Sequence, residues 1–575
     1  MPPMTRFVLL ALGALLAIPA GAAAAADRPQ VYVIVIDGLD GDRVDSGSAP
    51  FVKSLIDGKE GASATYFAES RSTMIAETNP NHTSMATGAY GGSSGIPGNS
   101  FAVYGQPPND DGCATTGLDE SKPPVVTSGE DPSCVSAETL FQTVDRQQGS
   151  LTTAGIFGKP KLARLFSAKR PDGRYYADNL WAPCEGSDDP TPYCRQVTTN
   201  PATGYALEDS IVMDEVIREA REQPADYTFV NLPEVDSVGH GSGTGASYDA
   251  AIGMADDQIR RFVDAQRQLG RWGKNTVLLL VSDHSMESTP EKTSLDQRFR
   301  TAGVPSDAYK IVQNGSASLV YLSNRRDPGR FDLLKRMRAA ALGTGNPASE
   351  LTGNGPVSEA LYREANPADG GNANTLDTVH PAWSLAGPRA GDLVVTHRAG
   401  GAFSDPANPL PGNHGGPQTR DNFMAVIGPA SMVQQARPPG EARPGFDDTT
   451  QNPQQSENVD VAPTVARLLG IGASRASQGR ILGEALQRTG LPPVRLPVLG
   501  LTPSPKRVRA GRRVLLTFST GVGGAKVRLG NKRVTSNSAG RARMRVTLHK
   551  AGLRKVVASK KGYRSTTRRI RVLPR

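Results

Sequence analysis

Beyond its first 26 residues the chain has no apolar run approaching the ~20 residues that cross a bilayer, so no later segment reads as a membrane span. The opening stretch reads as something else. Residues 1–26, with Arg6, an apolar run and small residues from Ala24 to Ala26, follow the pattern of a secretory signal cut near Ala26. The mature protein is then expected to be secreted, extracellular or held at the cell envelope. Cysteine is scarce: Cys113, Cys134, Cys184 and Cys194 are the only four, and no C-x-x-C spacing supports a thiolate metal site. Export favours disulfides instead. Three pairings are open, and Cys113–Cys134 with Cys184–Cys194 is expected because each pair brackets a loop rich in Pro, Gly and Asp. Internal repeats and extended low-complexity tracts are absent. The end of the chain lacks acidic groups altogether: Leu501 to Arg575 holds 22 Lys and Arg and no Asp or Glu. The preceding 500 residues carry 43 basic against 56 acidic groups. An acidic body joined to a basic tail marks a boundary.

What the body does contain is alternation. "VYVIVID" (residues 31–37) is a β-branched run fit for a buried strand, and "YTFVNL" (227–232), "TVLLLVSD" (276–283) and "DLVVTH" (392–397) are further strands. Between them Ile252, Ala255, Ile259, Phe262 and Val263 follow helical spacing. "DVAPTVARLLG" (460–470) reads as a late helix with Pro463 in its first turn and Gly470 as its stop. The expected fold is α/β, a central mostly parallel sheet flanked by helices. Residues near 100–135, 171–205 and 405–455, rich in Pro, Gly, Asp and Asn, read as long loops. Residues 27–485 are taken as one large α/β domain and 486–503 as a Pro-rich linker. Short alternating strands across 504–575 predict a small basic β-sandwich module.

Chemistry collects at the ends of these elements. Asp37 closes the first strand, and the adjacent pair Asp283-His284 closes "LLLVSD". Asp236 precedes His240 by four residues in "EVDSVGHG", and His414 lies in the glycine-rich "PGNHGGP". In "AETNPNHTSM", Pro80 suits a first helical turn, which sets Thr78 at or near a helix N-terminus, where free N–H groups favour an anion. Taken singly each has a plainer reading: Asp37 as a turn residue, Thr78 as a helix cap, His414 as a loop histidine. Together, three carboxylates and three imidazoles form a donor set suited to two zinc-like divalent ions, with a hydroxyl completing one site. Two ions ~4 Å apart can clamp the attacking and leaving oxygens of an in-line displacement. A threonine hydroxyl, a poor nucleophile alone, becomes an effective one when its pKa is lowered by such a site.

The ordered set "VIVIDG", "ETNPNH", "GIPGN", "DSVGH", "SDH" and "NHGG" resembles the alkaline phosphatase superfamily, and within it the type I phosphodiesterase/nucleotide pyrophosphatase family, over roughly residues 30 to 475. The resemblance implies an alkaline-phosphatase-like core with two metal ions, most often Zn2+, at the strand ends. It assigns Asp37, Asp283, His284 and the Thr78 oxygen to one ion, and Asp236, His240 and His414 to the other. It makes Thr78 the nucleophile that takes the phosphoryl group covalently. Asn99, in "GIPGNS", and the Thr78 N–H become donors to the phosphoryl oxygens. The implied activity is cleavage of phosphodiester or pyrophosphate bonds in a small, nucleotide-like phosphorylated substrate. The chain departs from the family pattern at Glu77, where a basic residue is frequent, at Val235, at Ser285, and in "GAYGGSSGI", which lacks a histidine. A carboxylate at Glu77 repels anionic substrates unless it is turned away. "TNPN" is also similar to the phosphonoacetate hydrolases, so C–P cleavage is an alternative, as is phosphomonoester hydrolysis.

The remaining histidines carry quieter readings: His82, one helical turn after Thr78, packs or orients the loop, His380 and His397 are structural or near the pocket, and His549 belongs to the module. The basic tail is expected to meet anionic cell-envelope surfaces. Its few aromatics argue against reading nucleic acid by base stacking. A non-catalytic surface-binding protein on the same scaffold is the competing class. Retention of Thr78 and of all six ligand-type residues argues against it.

Overall fold

The computed structural model describes residues 28–575 except 106, 108–110, 114–118, 201–204, 206–207, 344–354, 406, 439–455, 495–498, 521–523, 538–539 and 561–562. The expected signal segment lies outside the described residues. Strand β1 (Gln30–Ile36) sits inside the main sheet. Its side chains alternate between two cores: Val31, Val33 and Val35 enter one, Tyr32, Ile34 and Ile36 the other. A strand apolar on both faces is stable only when layers cover it above and below.

Those layers are supplied by the helices that follow. The sheet adds β2 (Ser63–Tyr66), β3 (Thr153–Phe157), β4 (Asn179–Pro183), β5 (Cys194–Arg195), β6 (Tyr227–Leu232), β7 (Thr276–Val281) and β8 (Met424–Gly428). Its spatial order is β2-β8-β7-β1-β6-β3-β4-β5, and only β8 runs against the rest. Helices α1 (Thr78–Thr87) and α5 (Val461–Leu468) contribute Met85, Val461 and Val465 to the first core. On the opposite face α2 (Asp209–Glu222) and α4 (Ala246–Gln268) bury Val212, Met213, Ile252, Ile259 and Phe262. Between β6 and α4 stands the short helix α3 (Glu234–Ser242). Because β1, β6 and β7 are parallel neighbours, with Val31 opposite both Val277 and Tyr227, their carboxyl ends open on one edge. That edge is where ligands bind in sheets of this kind.

Two expectations need correction. The segment 392–397 is not in the central sheet: Leu393–His397 pairs with Ala317–Leu322 and Val357–Tyr362 in a separate four-stranded antiparallel sheet. Length and apolarity alone do not say which sheet a strand joins. The regions expected as long loops are not all loop: 100–135 holds the paired strands Phe101–Val103 and Val125–Thr127, 171–205 supplies β4 and β5, and 405–455 supplies β8, which pairs antiparallel with both β7 and β2. Flanking Pro and Gly masked a five-residue buried strand.

The C-terminal residues form two further sheets: β9 (Thr502–Ser504), β11 (Arg513–Ser519) and β14 (Arg541–Thr547) in one; β10 (Arg507–Arg509), β12 (Lys526–Leu529), β13 (Lys532–Thr535), β15 (Gly552–Ser559) and β16 (Thr566–Leu573) in the other. A core of its own lies between them, including Leu516, Phe518, Val527, Val556 and Ile570. Leu499 and Leu501, at the end of the Pro-rich stretch, pack into it. Both expected disulfides are present, Cys113–Cys134 and Cys184–Cys194, closing sequence separations of 21 and 10 residues. Replacing Cys113 and Cys134 together by serine is expected to lower the unfolding free energy by about 3 kcal/mol, read from urea melts, because the open chain regains loop entropy.

Candidate active site

The five segments that the sequence singles out meet at the carboxyl edge. Asp37 leaves β1 and is fully buried. Its N–H donates to Leu232 O at 3.0 Å, which ties the tip of β1 to the tip of β6. Gly38 follows at φ +75°, and its N–H donates to Asp283 Oδ1 at 3.0 Å. A Cβ there would stand 3.0 Å from Asp236 Cα, so glycine is what lets α3 approach β1. Asp283 and His284 follow β7, and Asp236 and His240 lie one turn apart on α3. Thr78 is the first residue of α1, where its N–H has no partner within the helix. The Thr78 hydroxyl lies 3.5 Å from His284 Nε2.

The donors sort into two groups, Asp37 with Asp283 and His284, and Asp236 with His240 and His414. Within each group the ligating atoms lie within 4.8 Å of one another. Each imidazole is fixed through its other nitrogen: His240 Nδ1 to Gly412 O at 3.0 Å, His284 Nδ1 to Ser285 O at 3.0 Å, His414 Nδ1 to Ala76 O at 3.1 Å. A carbonyl can only accept, so each Nδ1 donates and each Nε2 is directed inward, with His414 Nε2 3.1 Å from His240 Nε2. Metal-binding histidines are oriented this way. The carboxylates agree. Asp37 Oδ1, Asp236 Oδ1 and Asp283 Oδ2 are buried with no hydrogen-bond partner among the described residues. Three orphaned carboxylate oxygens facing three imidazole nitrogens fit divalent ions of zinc type.

The cluster also holds a cation that the sequence reading missed. Lys159 Nζ donates to Asp37 Oδ2 at 2.8 Å and Asp236 Oδ2 at 2.6 Å, and stands 3.4 Å from Thr78 Oγ1. Burial opposes its charge, but Asp236 and Asp37 hold the ammonium pKa well above the usual lysine value. Burial also works against ionised Asp236, yet Lys159, His240 and His414 keep that carboxyl well below the usual range. For Asp283, burial and then Asp37 push the carboxyl up. Burial disfavours a charged His414, yet Glu77 and Asp236 raise it to about 9. Lys159 was legible in principle: "GIFGKPKL" puts a charge just past β3, the same pattern as Asp37.

Behind this cluster His82 spans two elements. Its Nδ1 donates to Thr78 O at 3.0 Å, and Asn231 Nδ2 reaches both His82 Nε2, at 3.2 Å, and Asp37 Oδ2, at 2.7 Å. The N-terminus of α1, with Thr78, is thereby tied to the strand tip. Asn458, just before α5, donates to Asp283 O at 2.9 Å and Asn81 Oδ1 at 3.1 Å, which explains the late helix in the motif set. Asn99 arrives beside Thr78 with its amide engaged: Oδ1 accepts from the Asn79 N–H at 2.7 Å, and Nδ2 donates to Glu77. Glu77 is turned towards Asn99 and His414 rather than into open solvent. In front of Thr78 opens a cavity of about 740 Å³, walled by Asn99, Lys159, Lys161, Tyr205, His240 and Asn314.

A parallel-sheet core with these donors at its carboxyl edge is that of an alkaline-phosphatase-like hydrolase. The chain belongs to the type I phosphodiesterase / nucleotide pyrophosphatase family, whose model matches residues 31–417. Among solved structures, murine ectonucleotide pyrophosphatase / phosphodiesterase 5, in an inactive form in complex with AMP, aligns with a TM-score of 0.53 at 15% identity, over 78% of this chain and 96% of its own. The human counterpart aligns at 0.53 and 15%, over 80% and 100%. A phosphonoacetate hydrolase from Sinorhizobium meliloti 1021, in complex with phosphonoacetate, aligns at 0.49 and 15%, over 77% and 95%. At such identities the likeness is one of fold. No curated protein matches the chain by sequence.

After chelation and reloading with zinc, the chain is expected to retain roughly two ions per molecule, and Asp283→Asn and His240→Asn roughly one each, by elemental analysis. A pH dependence follows from His82, which burial pushes down to about 4. Unfolded histidine takes its proton near pH ~6.5, while the folded chain resists until about pH 4. Stability is therefore full above that window and is lost as pH falls through it, by up to about 3 kcal/mol. Urea melts of chelated protein should show this slope, and His82→Gln should flatten it.

Proposed function

We propose that the protein is a secreted two-metal phosphoryl hydrolase that cleaves phosphodiester or pyrophosphate bonds of nucleotide-like substrates through a phosphothreonine intermediate. The observation that carries this reading is one helix-borne hydroxyl set between two donor groups: Asp236, His240 and His414 wall the cavity with Thr78, while Asp37, Asp283 and His284 lie buried behind it. Asp37, Asp283, His284 and the Thr78 oxygen would hold one divalent ion; Asp236, His240 and His414 would hold the other. When bound, such ions supply Lewis-acid stabilisation of phosphoryl charge and lower the pKa of a hydroxyl at the site. Two disulfides, and the lack among the described residues of any helix long and apolar enough to cross a membrane, are compatible with secretion.

The chain's own groups do the rest. Thr78 Oγ1 attacks phosphorus in line with the leaving oxygen. The threonine O–P bond forms as the P–O bond to the leaving alcohol or phosphate breaks. The hydroxyl proton passes to solvent, and the leaving oxygen takes one up. Water then attacks from the vacated side, freeing Thr78 and releasing the phosphorylated product. The Thr78 N–H, at the start of α1, and the second Asn99 Nδ2 proton are donors for the non-bridging oxygens. Glu77 serves by fixing the Asn99 amide rather than by meeting substrate, which reconciles a carboxylate with an anion-binding pocket. Lys159 and Lys161 place positive charge on the same wall, fit for charge developing on phosphorus or for a further anionic group of the substrate. That second option also favours the alternative, a phosphonoacetate-like substrate whose carboxylate meets the lysines while the C–P bond is cleaved.

Turnover of bis-p-nitrophenyl phosphate is expected to exceed that of p-nitrophenyl phosphate, to vanish on chelation, and to vanish in Thr78→Ala while ion content persists. Lys159→Ala should lower kcat by roughly 10²-fold. Undiminished turnover in Thr78→Ala would end the covalent reading. Phosphonoacetate cleavage without diester turnover would select the alternative. A zinc-loaded protein inert to all three favours the surface-binding class.

A further inference from the structure

Both C-terminal sheets carry exposed cations, but they arrange them differently: in the three-stranded sheet Arg541, Arg543 and Arg545 lie opposite Ser519, Thr517 and Leu515, whereas the five-stranded sheet sets cations directly against one another. In the five-stranded sheet the register sets Arg507 opposite Arg571, Lys555 opposite Arg569, and Arg528 opposite Arg533. All six are exposed, while their strand neighbours Val508, Val527, Val556, Ile570 and Val572 are buried in the module's core. Alternation therefore puts the six cations on the outer face together. Like charges directly across a strand pair destabilise it. Residues 501–575 contain no Asp or Glu to relieve them, and no carboxylate among the described residues pairs with any of the six. Folding alone does not favour such a ladder, because neutral or mixed pairs would make the same sheet more stable.

The face is also not purely polar. Leu553, 51% exposed, lies opposite Arg571, and Leu573, 36% exposed, lies opposite Arg509. No Phe, Tyr or Trp stands among them to stack nucleic-acid bases. Leucines between cations gain nothing against a hydrated polyanion, but they gain contact where headgroups give way to acyl chains. Tyr563 couples the module to the body: its hydroxyl accepts from Arg475 Nη2 at 2.8 Å and Arg475 Nε at 3.1 Å. We propose that the outer face of this five-stranded sheet docks on an anionic lipid surface and holds the hydrolase there.

The test uses the full chain, loaded with zinc, in co-sedimentation with phosphatidylcholine vesicles lacking or containing phosphatidylglycerol. Binding is expected only with phosphatidylglycerol and should weaken as salt rises. The triple variant Arg533→Glu, Arg569→Glu, Arg571→Glu turns each like pair into an opposite pair. Its melting temperature should hold or rise while vesicle partitioning falls by roughly 100-fold. The same charge change on the other sheet, Arg541→Glu, Arg543→Glu, Arg545→Glu, should weaken partitioning far less. Leu553→Ser with Leu573→Ser should weaken vesicle binding and leave heparin binding unchanged. Hydrolysis of bis-p-nitrophenyl phosphate should be the same in all variants, which separates this proposal from the reading of the active site. Absence of vesicle binding at low salt overturns the proposal. So do equal losses from the two triple variants, which would make the effect one of net charge alone. Indifference of vesicle binding to both leucines also overturns it, in favour of a soluble polyanion.

Discussion

Three carboxylates brought out of water at one point impose the constraint on which the rest of this molecule depends. Asp37, Asp236 and Asp283 are each almost wholly buried, and each keeps one oxygen without a hydrogen-bond partner among the described residues. A buried charge of that kind persists only beside compensating positive charge. Lys159 supplies part of it, bridging Asp37 and Asp236. The remaining oxygens lie beside imidazole nitrogens, His240 Nε2 and His414 Nε2 each 3.4 Å from Asp236 Oδ1 and His284 Nε2 3.3 Å from Asp283 Oδ2, a donor set that divalent ions fit.

The sheet exists in the form that makes this convergence affordable. Parallel neighbours β1, β6 and β7 deliver their charged ends to the same edge, and the apolar bodies of those strands anchor the ends through both cores. Small ties then hold the edge in register. Gly38 permits close approach of α3, His82 links α1 to Asn231, and Asn458 pins the backbone of Asp283. The departure at Glu77 takes its meaning from the same economy of partners, since its carboxylate is used up in orienting Asn99.

Much of the site was legible before any coordinates. A β-branched run ending in Asp, or in Asp-His, is an anomaly that demands a partner, and the ordered motifs supplied the rest. The strand read at 227–232 is found there, that read at 276–283 runs over Thr276–Val281, and the helix read at 460–470 runs over Val461–Leu468. Lys159 escaped because one lysine after a glycine and before a proline looks like an ordinary turn. Strand β8 escaped because five apolar residues between loop-forming segments carry too little periodicity to stand out. The separate sheet holding 393–397 escaped because pairing partners far apart in the chain leave no local trace.

Local order along the chain by itself determined which residue types close each strand, where the helices start and stop, and that an acidic body carries a basic appendage, since these rest on interactions within a few residues. Only the tertiary structure decided that Lys159 stands between two aspartates, that the Glu77 carboxylate meets the Asn99 amide at the cavity wall, and that cations of the last strands line one face. Those outcomes depend on register and on the meeting of segments up to several hundred residues apart, and no short-range preference encodes them.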